Sequence, residues 1–405
     1  MRKKFWALLL AVIFLFINSA CQEKESTHFT DPDFFLETDA NSYMFMGVSY
    51  RFAESPKGYY YCSSGDTTWG FLHFIDKTTM QDITLCGKPD CLHENDPTFD
   101  SDSDKKKCNA FLGSVKNICY YDGAIYAVVS ENLGDFYSRD IRYYLKRINL
   151  DGTAHKNVWE ITFDKEIENP YPGHRALIHR GRFYFTVGHS QMDELGNYIL
   201  EEALDYVYSY DLNTKELKLI DKCWGMGKLL AKGDHLYFER KYNTPETLAG
   251  ITSENICYTI STGEYQSLGK DTYLFLTRNK MLLGHRAPIE TPGVNEHFWS
   301  VITDLSDGSQ KTVEFPGPIR IEALNDTYLF GQPFFEPMNG SWQVYDPNTM
   351  KLIDTISLPK PSLAWLYFFE DKVVAEDFIE NILYYADLSA IGTDAFEWHT
   401  ITPSA

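Results

Sequence analysis

The stretch "DGAIYAV", residues 122–128, shows the pattern from which this chain is built. The turn signal Asp122-Gly123 precedes a run of alternating aromatic and apolar side chains, which is typical of a half-buried β-strand. The same pattern recurs after other turns, as "GYYYC" at 58–62, "RFYFTV" at 182–187, "HLYFE" at 235–239, "KMLLG" at 280–284, "TYLFG" at 327–331 and "KVVAE" at 372–376. A repeated strand unit is therefore expected.

A second strand pattern alternates with the first. It is an apolar strand that ends in a polar turn residue, as "LHFID" at 72–76, "LKRIN" at 145–149, "VYSYD" at 207–211, "CYTIS" at 257–261, "SVITD" at 300–304, "WQVYD" at 342–346 and "LYYAD" at 383–387. A further apolar piece usually follows each of these turns, for example "ELKLID" at 216–221. Another precedes each turn of the first pattern, for example "RALIHR" at 175–180.

Four short strands per unit, at a period of about 50 residues, are typical of a β-propeller. We predict an all-β fold with a single β-propeller over residues 42–405, made of seven blades of four antiparallel strands. The first blade would open with "SYMFMGV" at 42–48. That strand could instead close the last blade, so six or eight blades are the alternatives.

The N-terminus has the layout of an export signal. Basic residues 2–4 precede the apolar run Phe5–Ile17, which is shorter than the about 20 residues that a membrane-spanning helix needs. Cys21 follows Ser19-Ala20 and resembles the lipidated cysteine of bacterial lipoproteins, although Asn18 stands where a leucine is usual. We predict a signal peptide over 1–20, a lipidated Cys21 with a tether over 21–41, and an extracytoplasmic location. The alternative is an ordinary cleaved signal with a free Cys21 thiol.

The charge balance excludes some classes of partner. The chain has 37 basic and 57 acidic residues, a formal net charge of −20. Nucleic-acid binding needs a basic footprint, and anionic lipid head groups attract basic segments. We therefore expect no nucleic-acid partner and contact with the membrane through the lipid anchor only. We also predict a monomer.

Strand order predicts which end of the propeller varies. Connections from the second to the third strand of each blade lie at one end, together with the crossings between blades. These connections differ widely in length, from "SSGDTTW" at 63–69 to "GHSQMDELGNYILEEA" at 188–203. Variable loops on a rigid scaffold usually carry function. We therefore expect the functional site at this end.

One of these crossings, predicted over 86–117, contains a cluster of potential metal ligands. Cys86, Cys91, His93 and Cys108 form the pattern C-x4-C-x-H-x14-C. Three thiolates and one imidazole would satisfy a closed tetrahedral zinc site. An oxidising compartment favours disulfides instead, and three cysteines would leave one thiol unpaired. A disulfide with a spare thiol, a structural zinc and free thiols all remain open, and each of the first two would hold the long crossing in place.

The segment "LCGKPDCLHENDP" at 85–97, with "CNAF" at 108–111, "GYYYC" before it and "RINLDGT" at 147–153 after it, resembles a family of bacterial propeller lipoproteins. The resemblance implies a surface-anchored propeller that carries this cysteine loop. It implies no reaction.

The predicted loop-bearing end contains candidate binding residues. Aromatic side chains in loops suit stacking on sugars or anchoring of peptides, and Arg and His suit acidic groups. The candidates are Trp69, Phe136, Tyr137, Arg139, His189, Arg240, His285 and Arg286. The sequence has no common catalytic fingerprint, such as a nucleophile elbow, a zinc-protease helix or a P-loop. We predict a non-enzymatic binding or scaffold protein for a glycan, a peptide or an envelope protein. The alternative is a glycan-active hydrolase or lyase that uses carboxylate and His side chains, among them Glu290.

Overall fold

A computed structural model describes residues 44–45, 51–63, 70–88, 91, 107–132, 141–163, 167, 170–192, 198–243, 251–270, 272–286, 298–315, 319–333, 340–360, 365–377, 380 and 382–403. These residues form β-strands and turns, with one short 3-10 helix at Leu388–Ala390. Within these ranges, no helix is long and apolar enough to cross a membrane.

After β1 (Met44–Phe45), the described strands follow one another in runs of four antiparallel neighbours, which we call units 1 to 7. Unit 1 consists of β2 (Phe52–Glu54), β3 (Gly58–Cys62), β4 (Gly70–Asp76) and β5 (Gln81–Thr84). Unit 2 consists of β6 (Phe111–Tyr121), β7 (Ala124–Asn132), β8 (Ile141–Asn149) and β9 (His155–Glu160). Unit 3 consists of β10 (Tyr171–His179), β11 (Arg182–Met192), β12 (Tyr198–Asp211) and β13 (Leu217–Cys223).

Units 4 to 7 continue the same order, and a final strand follows them. Unit 4 consists of β14 (Gly225–Lys232), β15 (His235–Asn243), β16 (Ile251–Thr259) and β17 (Tyr265–Lys270), and unit 5 of β18 (Tyr273–Leu276), β19 (Lys280–Arg286), β20 (Phe298–Asp304) and β21 (Gln310–Glu314). Unit 6 consists of β22 (Ile319–Leu324), β23 (Leu329–Pro333), β24 (Ser341–Tyr345) and β25 (Leu352–Ser357), and unit 7 of β26 (Trp365–Phe368), β27 (Lys372–Asp377), β28 (Ile382–Asp387) and β29 (His399–Thr400). The final strand is β30 (Thr402–Pro403).

The strands form a β-propeller, as predicted, but the prediction of seven separate blades is wrong. Units 3 to 7 form five separate sheets, whereas units 1 and 2 share a single nine-stranded sheet. The two units join where β4 pairs with β6, at Gly70↔Gly113 and Phe71↔Phe111. The physical reason is the shortness of β5, which pairs with β4 only from His73 to Ile75 and leaves the start of β4 open to β6.

The prediction that "SYMFMGV" opens the first blade is also wrong. Its residues Met44 and Phe45 form β1, which pairs with β22 of unit 6. Unit 1 opens instead with β2, because a tight turn ties β2 to β3. In that turn the Ser55 N–H donates to the Gly58 carbonyl oxygen at 2.9 Å, and the Ser55 side chain accepts the Gly58 N–H at 3.1 Å. The crossing from unit 1 to unit 2 is likewise shorter than predicted, because β6 already begins at Phe111.

The core lies between neighbouring units. One cluster combines Tyr237 of unit 4, Phe275 and Leu282 of unit 5, and Leu329 of unit 6, all fully buried. Full burial of one such side chain contributes about 1.5–3 kcal/mol. Each unit therefore needs its neighbours to bury its apolar surface, as is usual in repeat proteins.

The last unit packs against the first. The rings of Tyr59 and Phe369 lie 4.1 Å apart, and the Tyr59 hydroxyl donates to Asp371 at 2.8 Å. Beyond unit 7, β30 pairs in parallel with β5 at Thr402↔Gln81. The chain thus closes on itself through a packed seam and a two-residue strand at its C-terminal side.

Candidate functional site

The two ends of the propeller differ in their connections. At the turn end, first and second strands, and third and fourth strands, are joined by short turns. Asp76 accepts the Thr78 and Thr79 N–H groups at 2.9 Å, and Asp211 accepts those of Asn213 and Thr214 at the same distance. Backbone hydrogen bonds, that from Thr79 first, lower the pKa of the Asp76 carboxyl. These turns are fixed by their own side chains.

The other end, the loop end, carries the second-to-third-strand connections and the crossings between units. Much of it lies outside the described residues, including 64–69, 133–140, 193–197, 244–250 and 287–297. Six predicted site residues also lie outside the described residues: Trp69, His93, Phe136, Tyr137, Arg139 and Glu290. Cys21 and the signal and tether segments also lie outside the described part of the chain.

The structure places His189, Arg240 and His285 toward the loop end of the second strands of units 3, 4 and 5. The three residues belong to three different units, and no hydrogen bond, ion pair or ring contact among the described residues joins any two of them. His189 is buried, and its Nδ1 has no hydrogen-bond partner among the described residues. Arg286 is described only by its backbone, which pairs with Phe298.

Arg240 joins units 3 and 4. Its guanidinium Nη2 lies 2.7 Å from Asp221 Oδ2 on β13, and its Nε donates to the same oxygen at 2.8 Å. The Tyr242 hydroxyl accepts from Arg240 at 3.3 Å and donates to Glu254 at 2.7 Å. These contacts satisfy the Arg240 side chain within the scaffold, so they describe an inter-unit link.

His285 lines a recess at the loop end between units 5 and 6. The recess, whose free space of about 340 Å³ includes open solvent, is lined by Tyr273, Gly284, His285, Phe315, Ile319, Arg320 and Ile321. The His285 ring is stacked on Trp299, with ring centroids 5.3 Å apart. Burial lowers the pKa of His285, so its imidazole is neutral at pH 7. Mostly apolar walls with a few polar groups are typical of a binding pocket.

Charged residues at β-bulges are a feature that the sequence reasoning missed. First strands of neighbouring units contact one another, which places them innermost. Four of these strands have an irregular register: β6 at Lys116, β10 before Ala176, β14 after Met226 and β22 at Glu322. Bulges re-aim side chains, and a glycine within a strand, such as Gly227, is a sequence signal for one.

Lys228, at the bulge of β14, is the most perturbed of these residues. Its ammonium donates to the Leu274 carbonyl oxygen at 3.0 Å and lies 4.3 Å from the centre of the Phe275 ring. Burial lowers its pKa to about 8, although Glu239 and Glu322 oppose the shift. Burial also raises the pKa of Glu322, against the effect of Arg320. The innermost strands therefore hold opposite charges under partial desolvation.

A cluster of three thiols, Cys86, Cys91 and Cys108, lies where the crossing reaches β6. Their Sγ atoms all lie within 4.8 Å of one another, and none of them is in a disulfide. Phe71 of β4 and Phe111 of β6 pack against the cluster. The Leu72 N–H donates to the Ala110 carbonyl oxygen at 2.8 Å, so the cluster adjoins the junction of units 1 and 2.

The three thiols are not equivalent. Burial would raise the pKa of Cys86, but hydrogen bonds from the Lys88 and Asn109 N–H groups and from the other two thiols outweigh it, and the net shift is downward. Burial raises the pKa of Cys108 despite a hydrogen bond from the Ala110 N–H. Of Cys86 and Cys108, Cys86 therefore loses its proton more readily.

Solved propeller structures resemble this chain. The β-propeller domain of the Trilobed protease from Pyrococcus furiosus matches with 14% identity and a TM-score of 0.46, over 72% of this chain and 83% of that chain. A puromycin-hydrolyzing peptidase of Mycobacterium tuberculosis (10% identity, TM-score 0.47) and oligopeptidase B from Leishmania major (9%, 0.47) match over 90% and 71% of this chain.

The chain spans only 56% and 41% of the length of those two peptidases. At such identities the likeness concerns the fold alone. No protein-family model and no curated protein sequence matches the chain.

Proposed function

We propose that this chain is a lipoprotein, anchored through Cys21 on the outer side of a cell membrane, whose propeller binds a partner at the loop end without catalysing a reaction. The partner classes are a glycan, a peptide or an envelope protein. Among them, we favour a peptide or protein segment that presents an apolar side chain.

The recess between units 5 and 6 carries this proposal. Its walls, Tyr273, Phe315, Ile319 and Ile321, offer apolar surface to an apolar side chain. Arg320, at its edge, is already paired with Glu322 and donates to Gln332 at 2.9 Å. An uncharged anchor therefore fits the recess better than an acidic one.

The net charge favours a neutral or basic partner. A formal charge of −20 repels acidic segments and attracts basic ones, chiefly by raising the association rate. We therefore expect binding to weaken as salt is added.

The anchor is supported by the sequence of the first 21 residues and is tested independently. Growth with labelled palmitate should label the protein, and Cys21→Ala should abolish both the label and membrane association. A Cys21→Ala variant that stayed fully in the membrane fraction would remove the anchor from the proposal.

A peptide array and a polysaccharide array, probed with the same purified protein, test the binding role. Phe315→Ser should weaken binding of a captured peptide by about tenfold or more, because it removes part of the apolar wall. Leu352→Ser is the matched control, since Leu352 is 52% exposed on β25 and lies outside the recess.

Conversion of an array compound to product would support the enzymatic alternative. If either array yields product, and His285→Ala, His189→Ala or Glu290→Gln abolishes its formation, the non-enzymatic proposal fails. Equal affinity of the Phe315→Ser and Leu352→Ser variants for the captured peptide would leave a binding protein but move its site away from the recess.

A further inference from the structure

We propose that Cys86, Cys91 and Cys108 bind a structural Zn²⁺ ion that fastens the crossing between units 1 and 2 to the β4–β6 junction. This role is separate from partner binding at the recess. It distinguishes one of the possibilities that the spacing of these cysteines leaves open.

The spacing of the sulfur atoms suits a shared ion. A tetrahedral Zn²⁺ with Zn–S bonds of about 2.3 Å holds its sulfur atoms about 3.8 Å apart. The three Sγ atoms already lie within 4.8 Å of one another. Each sulfur therefore needs to move by no more than about 1 Å to reach a common ion.

A disulfide explains the arrangement less well. It joins two sulfur atoms at about 2.05 Å and leaves the third without a bond. Here three thiols converge, although Cys91 and Cys108 come from separate parts of the crossing. Thiolate-rich sites favour soft or borderline cations such as Zn²⁺, so three convergent sulfur donors fit a cation better than a single covalent link.

Backbone N–H groups are already positioned to donate hydrogen bonds to two of the sulfur atoms. Cys86 accepts hydrogen bonds from the N–H groups of Lys88 and Asn109, and Cys108 accepts one from Ala110. In both cysteines a donor lies two residues further along the chain. Such bonds orient the sulfur atoms and stabilise their negative charge, the part that outer-shell groups play at metal sites.

The surroundings shield the site in part. Cys108 and Ala110 are buried, Cys86 and Cys91 are half-buried, and the Phe71 and Phe111 rings pack against the thiols. Three thiolates and Zn²⁺ together carry one negative charge, and Lys88, whose ammonium donates to the Lys107 carbonyl oxygen, lies beside the cluster.

Such an ion would have a definite mechanical effect. The short strand β5 leaves Gly70 and Phe71 to pair with β6, and the thiols lie against this pairing. Because Cys86 follows β5 and Cys108 precedes β6, one ion would tie both ends of the crossing together. The long connection would then lose freedom without needing a core of its own.

Metal analysis of the full chain tests the proposal. The protein is purified in detergent with a thiol reductant and no chelator, and its zinc content is measured by mass spectrometry. We expect about one zinc per chain, lost in the triple variant Cys86→Ser, Cys91→Ser, Cys108→Ser. Cys119→Ser is the matched control, since Cys119 lies within β6 outside the cluster, and it should retain the zinc.

A second measurement does not depend on variants that fold. The wild-type chain is stripped of metal and titrated with Co²⁺, which should give a sulfur-to-cobalt charge-transfer band that Zn²⁺ displaces. Added Zn²⁺ should also protect Cys86, Cys91 and Cys108 from alkylation, and should slow hydrogen exchange at Phe71 and Phe111.

Two results would overturn the proposal. One is alkylation of all three thiols at a rate unchanged by Zn²⁺, with no cobalt band. The other is a disulfide between two of these cysteines in protein isolated without reductant, together with no bound metal. Neither result bears on the peptide array, so failure of the zinc site and failure of the proposed binding role can be told apart.

Discussion

Lys228 shows how one residue can place charge inside a scaffold of apolar strands. It sits at the bulge of β14, next to Gly227, and an added Cβ at Gly227 would come within 2.5 Å of the Glu239 Cβ. The bulge therefore brings the Lys228 ammonium of the innermost strand β14 close to the Glu239 carboxylate of the second strand β15. Partial burial of the ammonium is what lowers its pKa to about 8.

This pKa predicts how stability depends on pH. Between pH 8 and the ordinary lysine pKa of 10.5, the unfolded chain holds more protons at this position than the folded chain. The free energy of unfolding should therefore rise with pH in that window, relative to Lys228→Met, by at most about 1.4 kcal/mol per pH unit. Below pH 8 the difference between the two proteins should be constant. Urea denaturation at several pH values measures it.

Lys156→Met is the control for this prediction, because Lys156 is exposed on β9. Its stability should stay parallel to that of the wild type throughout. If Lys228→Met also stays parallel between pH 8 and 10.5, Lys228 is fully solvated and the charge is not part of the scaffold.

At the scale of the element, the start of the crossing between β5 and β6 is held by a contact with unit 2. At its start, Leu85 meets the turn between β8 and β9: an added Cβ at Gly152 would lie 2.4 Å from the Leu85 carbonyl oxygen. Gly152 also has a φ of +71°, a conformation that favours glycine. The approach of this turn fixes the chain one residue before Cys86, so the thiol cluster depends on a glycine in a neighbouring unit.

Gly152→Ala should therefore destabilise the protein in two ways. The positive φ costs about 1–2 kcal/mol, and displacement of Leu85 adds about 1–3 kcal/mol. Gly123→Ala is a close control, because Gly123 has a φ of +68° but nothing within 4 Å of an added Cβ. Chemical denaturation of both variants should show the larger loss at Gly152. Equal losses would mean that Leu85 shifts freely and that the crossing is not fixed there.

The sequence predicts elements of this kind unevenly. Turn signals such as Asp122-Gly123 and Asp211 placed the strand units, because these residues form turns through their own backbone and side chains. The merging of units 1 and 2 could not be predicted, since it depends on how far β5 covers β4. Lys228 was missed for the same reason: a bulge is a relation between two strands, and only Gly227 pointed to it.

At the scale of the whole molecule, the seam between units 7 and 1 decides whether the ring is closed. Tyr59, Phe52, Tyr367 and Phe369 form one aromatic cluster across it, with Ile401 packed at its edge. Arg51 lies 3.7 Å from Glu376, which also accepts from the Tyr367 hydroxyl at 2.6 Å. Closure thus rests on side-chain packing and a few polar contacts, with β30 as a small addition to the sheet.

A chain that ends at Thr400 should test the contribution of this last segment. It loses the buried Ile401 side chain and the pairing of β30 with β5, which together should lower the free energy of unfolding by about 3 kcal/mol. Hydrogen exchange should speed up in β5. A chain that ends at Pro403 is the control and should match the full chain. An unchanged stability on ending at Thr400 would show that the aromatic cluster closes the ring alone.

The pairing of β30 with β5 also has a consequence for biosynthesis. Unit 1 is made before the other units, yet its outer strand gains this partner only when Thr402 and Pro403 have been made. Until then β5 presents an open sheet edge, to which other strands can add. Because β5 and β30 are far apart in the sequence, their pairing carries a large loop-closure entropy cost, which slows folding. A chain that stalls before Thr402 is made would thus expose this edge for longer.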